Sequence, residues 1–209
     1  MQNLSTPKFL FFDLGRVLLH FSMERMCRQM GEVAGVSADR VREIIFGLGL
    51  QHQYERGQVT PEDLYEIFCG QTGTRPEPET LFLANNDIFE VNQSMATVVS
   101  ALSGARWPLG ILSNTCPSHW DYCRRRYTIL DGLFRVHIVS YEVRATKPDA
   151  EIFQAAARAA GHEPGELFFV DDMAENVEGA RAAGLDAVQY TTTPRLVADL
   201  RARGVCFNY

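Results

Sequence analysis

The chain lacks any cysteine framework. Its five cysteines (Cys27, Cys69, Cys116, Cys123 and Cys206) are odd in number and scattered, with no C-x-x-C pair. A zinc or redox site therefore has no scaffold, and the thiols read as reduced and mostly buried. A basic excess is also missing: 20 Lys and Arg face 26 Asp and Glu, for a net charge of −6. That balance argues against a general binder of nucleic acid or of anionic membrane surfaces. It says nothing against a small anionic ligand, because a metal or a few local donors can reverse the field inside a cleft. No apolar run approaches the ~20 residues of a bilayer span, and no charged N-terminal segment leads into an apolar stretch and cleavage site. The expectation is a cytoplasmic protein without nucleic-acid or membrane partners.

What is present is an ordinary globular composition, 46% apolar and 22% charged over 209 residues. This suffices for one α/β core carrying an insertion. From about residue 93 onward, short apolar runs alternate with helical patterns. "LGIL" (109–112), "RVHIVS" (135–140), "LFFV" (167–170) and "DAVQY" (186–190) read as strands. The intervening segments read as helices, including "DAEIFQAAARAAG" with Asp149 as its N-cap and Gly161 as its stop. Such alternation predicts a parallel sheet covered on both faces, and "FLFF" (9–12) joins it by composition. Residues 20–92 contain no convincing strand and read as several helices, one beginning at Thr60 and Pro61. The predicted organisation is a core of residues 1–19 and 93–209 with a helical cap, 20–92, inserted after the first strand.

In open parallel sheets ligands bind at the carboxyl ends of the strands. Here those ends carry Asp13, then Ser113 and Asn114, then Lys147 after a short loop, and finally Asp171 and Asp172. Together they supply a carboxylate nucleophile, hydroxyl and amide donors, a cation and a hard oxygen site. Each also has a plain structural reading. Asp13, Ser113 and Asn114 suit turns, and Lys147 can point into solvent. The adjacent Asp171 and Asp172 are the most telling, since paired carboxylates ending an apolar run repel and lose hydration. A hard cation beside them, Mg²⁺ by its oxygen ligands, resolves the conflict. Asn176 follows Asp172 by one helical turn, where it can orient a neighbour.

In order and spacing, "FFDLGRVL", "LSNT", "TKPDAEIF" and "FFVDDMAENVEGA" resemble the four motifs of the haloacid dehalogenase (HAD) superfamily. The resemblance spans essentially the whole chain. "FDLG" with "DDxxxN" is similar to its phosphatase branch, near bacterial α-D-glucose-1-phosphate phosphatases and the N-terminal phosphatase domain of soluble epoxide hydrolases. This implies a Rossmann-like core and a hydrolase acting on a small phosphorylated metabolite, such as a sugar phosphate. It further implies an aspartyl-phosphate on Asp13, with Mg²⁺ held by Asp13, the Gly15 carbonyl and Asp172. Ser113 and the Asn114 backbone would bind a phosphoryl oxygen, and Lys147 would neutralise charge. Asp171 would support the metal from outside its ligand shell, and Asn176 would hold Lys147. A monomer or weak homodimer is expected.

Gly15 departs from the pattern, because most phosphatases of this family have a general acid, Asp, there. The carbonyl is kept while side-chain proton transfer is lost, a term typically worth about 10²–10⁴-fold. Two other readings follow: a non-catalytic phosphate-metabolite sensor or interaction protein, and a metal-free 2-haloacid dehalogenase, which the paired aspartates argue against. Arg16 and His20 lie between core and cap. His52, Tyr54, Glu55 and Arg56 are candidate substrate contacts in the cap.

Overall fold

The segment FLFF has no polar side to offer solvent, so it is stable only with both faces covered. In the computed structural model, which describes residues 6–209, that is its situation. Seven strands occur among the described residues: β1 (Phe9–Phe12), β2 (Leu19–Phe21), β3 (Phe89–Val91), β4 (Leu109–Ser113), β5 (Val136–Val139), β6 (Leu167–Asp171) and β7 (Asp186–Gln189). Five of them form a parallel sheet in the order β5-β4-β1-β6-β7. Side chains of β1 alternate between faces. Phe9 and Phe11 pack with Phe153 and Phe169, while Leu10 and Phe12 pack with Met95 and Val99 on the other side. Burying each such aromatic stabilises the fold by about 1.5–3 kcal/mol.

Strand order places the site. The chain runs from β1 outward through β4 and β5, then returns to β6 and β7 on the opposite side. Crossovers diverge at this point, leaving a crevice outside the carboxyl ends of β1 and β6. Asp13 follows β1 directly and Asp171 closes β6. The helix Ala174–Ala182 packs tightly against the loop carrying Lys147. A Cβ on Gly179 would lie 2.6 Å from Pro148 Cβ and 2.7 Å from its carbonyl oxygen.

The insertion is helical, with its longer helices at Met23–Ala34, Pro61–Thr72 and Pro78–Asn86. Thr60 and Asp63 form a reciprocal capping box at the second of these. Two expectations need correction. The cap is not free of strands: the two crossings between core and cap, β2 and β3, pair antiparallel, with Phe21 opposite Phe89. Each has three residues, too short to show alternation in sequence. Asp149 sits at the N-cap position of helix Ala150–Ala160 but makes no side-chain cap. Its carboxylate instead accepts from Arg56 of the cap at 3.0 Å.

Candidate active site

The centre of the site is Lys147. Its ammonium, 1% exposed, donates to Asp13 Oδ1 at 2.7 Å, Asp171 Oδ2 at 2.6 Å and the Leu112 carbonyl at 3.0 Å. All its protons are thus committed. Asn114 fixes the lysine's backbone from both sides: its Oδ1 accepts from Lys147 N–H at 2.8 Å, and its Nδ2 donates to the Lys147 carbonyl at 2.9 Å. Burial opposes the ammonium charge, but Asp13 and Asp171 outweigh it and hold the Lys147 pKa above its usual value.

Asp171 is fully used by the protein. Its Oδ1 accepts from Met173 N–H at 2.8 Å and Asn176 Nδ2 at 3.0 Å, and its Oδ2 from Lys147. Asn176 therefore does not contact Lys147; it steadies the lysine one step removed, through Asp171. Asp13 is buried, with its Oδ2 free of protein donors among the described residues. Loss of water pushes the Asp13 carboxyl up to about 7; Lys147 opposes this, and Asp171 and Asp172 add to it. Burial, with Asp171 beside it, also raises Asp172. Arg16 approaches Asp172 at 3.5 Å.

One oxygen each from Asp13, Asp171 and Asp172 lies within 4.8 Å of the others. With Asp171 spent, the free donors are Asp13 Oδ2, the Asp172 carboxylate and the Gly15 carbonyl. That carbonyl accepts from Val17 N–H at 2.7 Å and keeps a second lone pair. A one-sided, all-oxygen set with room for water fits Mg²⁺.

These groups open onto a cleft of about 610 Å³ lined by Asp13, Gly15, Asn114, Lys147, Asp172 and Asn176, with His52, Glu55 and Arg56 from the cap. Asp171, expected behind the ligands, and Ser113, expected to face the phosphoryl group, are not on its wall. Asp171 lies beneath it. Ser113 lines an adjoining recess of about 50 Å³ with Phe21, Met23, Ile88, Phe89 and His119. Burial lowers the His119 pKa to about 4, so this ring is neutral. His20 lies on β2, outside both spaces. Tyr54 is not a substrate contact: it is 1% exposed, and its hydroxyl accepts from Ser118 N–H at 3.3 Å. Arg56 binds Thr146 at 2.9 Å and Asp149 at 3.0 Å, tying cap to core beside Lys147. The sequence reading missed Phe21, Gln51 and Ser140. Only Gln51 carried a signal, its spacing of one helical turn before Glu55.

A sequence family described as haloacid dehalogenase-like hydrolase matches residues 17–184. Phosphatase MT3486 of Mycobacterium tuberculosis is 43% identical over 184 residues, covering 84% of this chain and 83% of that protein. D-ribitol-5-phosphate phosphatase of Bacteroides thetaiotaomicron is 22% identical over 201 residues, 87% of this chain and 91% of that one. A HAD family enzyme of the same organism, solved with magnesium and inorganic phosphate, superposes with a TM-score of 0.78 at 25% identity. That match covers 88% of this chain and 94% of the other.

Proposed function

The chain belongs to the haloacid dehalogenase-like hydrolases, and from that premise we propose that it is a Mg²⁺-dependent phosphomonoester hydrolase that works through Asp13. The observation that carries this reading is the division of labour among the carboxylates. Asp171 is saturated by the protein, whereas Asp13 Oδ2 has no protein donor among the described residues and the Asp172 carboxylate, 3.5 Å from Arg16, faces the cleft. A metal-free dehalogenation has no use for the second open carboxylate.

One carboxylate oxygen of Asp13 attacks phosphorus in line, the ester oxygen departs, and water then displaces Asp13 from the aspartyl-phosphate. Lys147 stays charged beside the nucleophile and offsets the negative charge spread over the phosphoryl oxygens. Asn114 and Asp171 keep it from following the substrate, Asn114 through the backbone and Asp171 through the ammonium. We assign the Asn114 backbone N–H, on the cleft wall, and the Ser113 hydroxyl, at the recess that adjoins it, as donors for a phosphoryl oxygen. Asp13, the Gly15 carbonyl and Asp172 would hold Mg²⁺, which supplies charge neutralisation at the phosphoryl group when bound. The cleft, about 610 Å³, suits a small metabolite of sugar-phosphate size. The relatives named as phosphatases and the magnesium and phosphate complex support the same reading.

The test is phosphate release from a panel of esters, with and without Mg²⁺, by wild type and Asp13→Asn. Mg²⁺-dependent release that Asp13→Asn abolishes is expected. Binding of phosphate without turnover of any ester would instead favour the sensor.

A further inference from the structure

The position where a side-chain acid would hang from residue 15 is already filled. A Cβ on Gly15 would lie 2.8 Å from Phe21 Cε1, and the Arg16 guanidinium covers that ring at 5.5 Å from its centroid. Proton transfer to the departing oxygen must come from elsewhere on the cleft wall. Asp13 is the nucleophile, Lys147 has no proton to spare, and Asp172 belongs with the metal. Asp149 is paired with Arg56 at 3.0 Å, and His52 and Glu175, on the same wall, are exposed to solvent. Glu55 is different. Its Oε1 accepts from Gln51 Nε2 at 2.7 Å, and its Oε2 has no protein partner among the described residues.

Glu55 borders both the large cleft and the apolar recess beside Ser113. It therefore shares a wall with Ser113 and Asn114 on one side and with Asp13 and Lys147 on the other. Although it comes from the cap, it is tied to the core. The Ser140 hydroxyl donates to the Glu55 carbonyl at 2.6 Å and accepts from Thr115 N–H at 3.0 Å. The next residue, Arg56, binds Thr146 and Asp149.

We propose that Glu55 replaces the missing acid, protonating the leaving group and later deprotonating water; this rests on the phosphatase reading above. In the first half-reaction the Asp13–P bond forms, the ester P–O bond breaks, and the Glu55 proton passes to the leaving oxygen. In the second, water's oxygen bonds to phosphorus, the Asp13–P bond breaks, and water's proton returns to Glu55. Proton and charge balance, and no further reactant is needed. Burial favours the protonated carboxyl, against the pull of Gln51, His52 and Lys147. The titratable and charged groups turned toward it are His52, Lys147 and the buried Cys116 thiol. Asp13, Arg56 and Asp172 share the cleft wall.

The experiment compares Glu55→Gln with wild type on an alkyl phosphate and on 4-nitrophenyl phosphate, whose leaving group needs no proton. With the aryl ester the variant should release a burst of about one nitrophenolate per enzyme at the wild-type rate. Steady turnover should then be slowed by about 10²–10⁴-fold. With the alkyl ester the burst should vanish and the single-turnover rate should fall by a similar factor. Equal slowing of the burst and alkyl phases would make Glu55 a positioning or binding residue and overturn the proposal. An unchanged alkyl rate would also overturn it. If wild type hydrolyses neither ester with Mg²⁺, the phosphatase reading fails first, so the two failures are distinguishable.

Discussion

Replacing Lys147 with Met keeps the length of the side chain and removes its charge. The ammonium is 1% exposed and bridges Asp13 and Asp171, whose oxygens lie within 4.8 Å of one another. Two charged carboxylates at that separation repel by about 3.5 kcal/mol at an effective dielectric constant near 20. Losing one partner of a buried ion pair costs about 3–5 kcal/mol in general, so the two magnitudes agree. For a chain of this size the loss corresponds to a Tm lower by roughly 6–20 °C. The sign of the pH dependence follows from Asp13. Its pKa, about 7, lies above its value of 3.8 in the absence of the fold. The contribution of Asp13 to stability is therefore fully present below about pH 4 and is lost as pH rises through about 7. Without Lys147 the Asp13 carboxyl is pushed further up, so repulsion in the variant is relieved by acid. Thermal melts in a chelator, at about pH 8 and about pH 5.5, should show a Tm deficit that at least halves in acid. A deficit under about 3 °C at the higher pH, or one that is the same at both, would refute the charge-compensation argument.

Three further outcomes are expected. Gly15→Asp should not restore a faster enzyme. Its Cβ meets Phe21 at 2.8 Å, and overpacking of this kind costs about 1–3 kcal/mol. Activity assays and melts check this, and the same substitution in a Phe21→Ala background should lose less stability. Mg²⁺ affinity measured by calorimetry should weaken by about tenfold per pH unit below about 7, because protons compete for Asp13; a flat profile would remove Asp13 from the ligand set. Glu55→Gln should slow single turnover of alkyl esters while sparing the burst with aryl esters.

Much of this site could be read from strand ends. β1, β4 and β6 are continuous apolar runs, so the first polar residue after each marks a carboxyl end, and the sheet order brings those ends together. Asp13, and Asn114 and Asp172 next to the residues so marked, were legible for that reason; Lys147, in the loop before Asp149, joins them in one cleft. What depended on side-chain direction was not. Asn176 is one helical turn past Asp172, yet its amide turns back to Asp171. Ser113 ends β4 facing the recess. Tyr54 and Glu55 are neighbours in the cap, but one is core and the other lines the cleft, because successive helical residues point about 100° apart. The ribbon of β2 and β3 depends on pairing between residues 19–21 and 89–91, a contact that local patterning does not encode. Phe21 filling the space beside Gly15 follows from that same pairing.

In the proposed reaction phosphorus passes through Asp13. Rapid acid quench of wild type turning over a phosphate ester with Mg²⁺, followed by peptide mass spectrometry, tests it most directly. One phosphoryl group on the peptide carrying Asp13 is expected, and a phosphoryl group recovered on any other residue would overturn the covalent route.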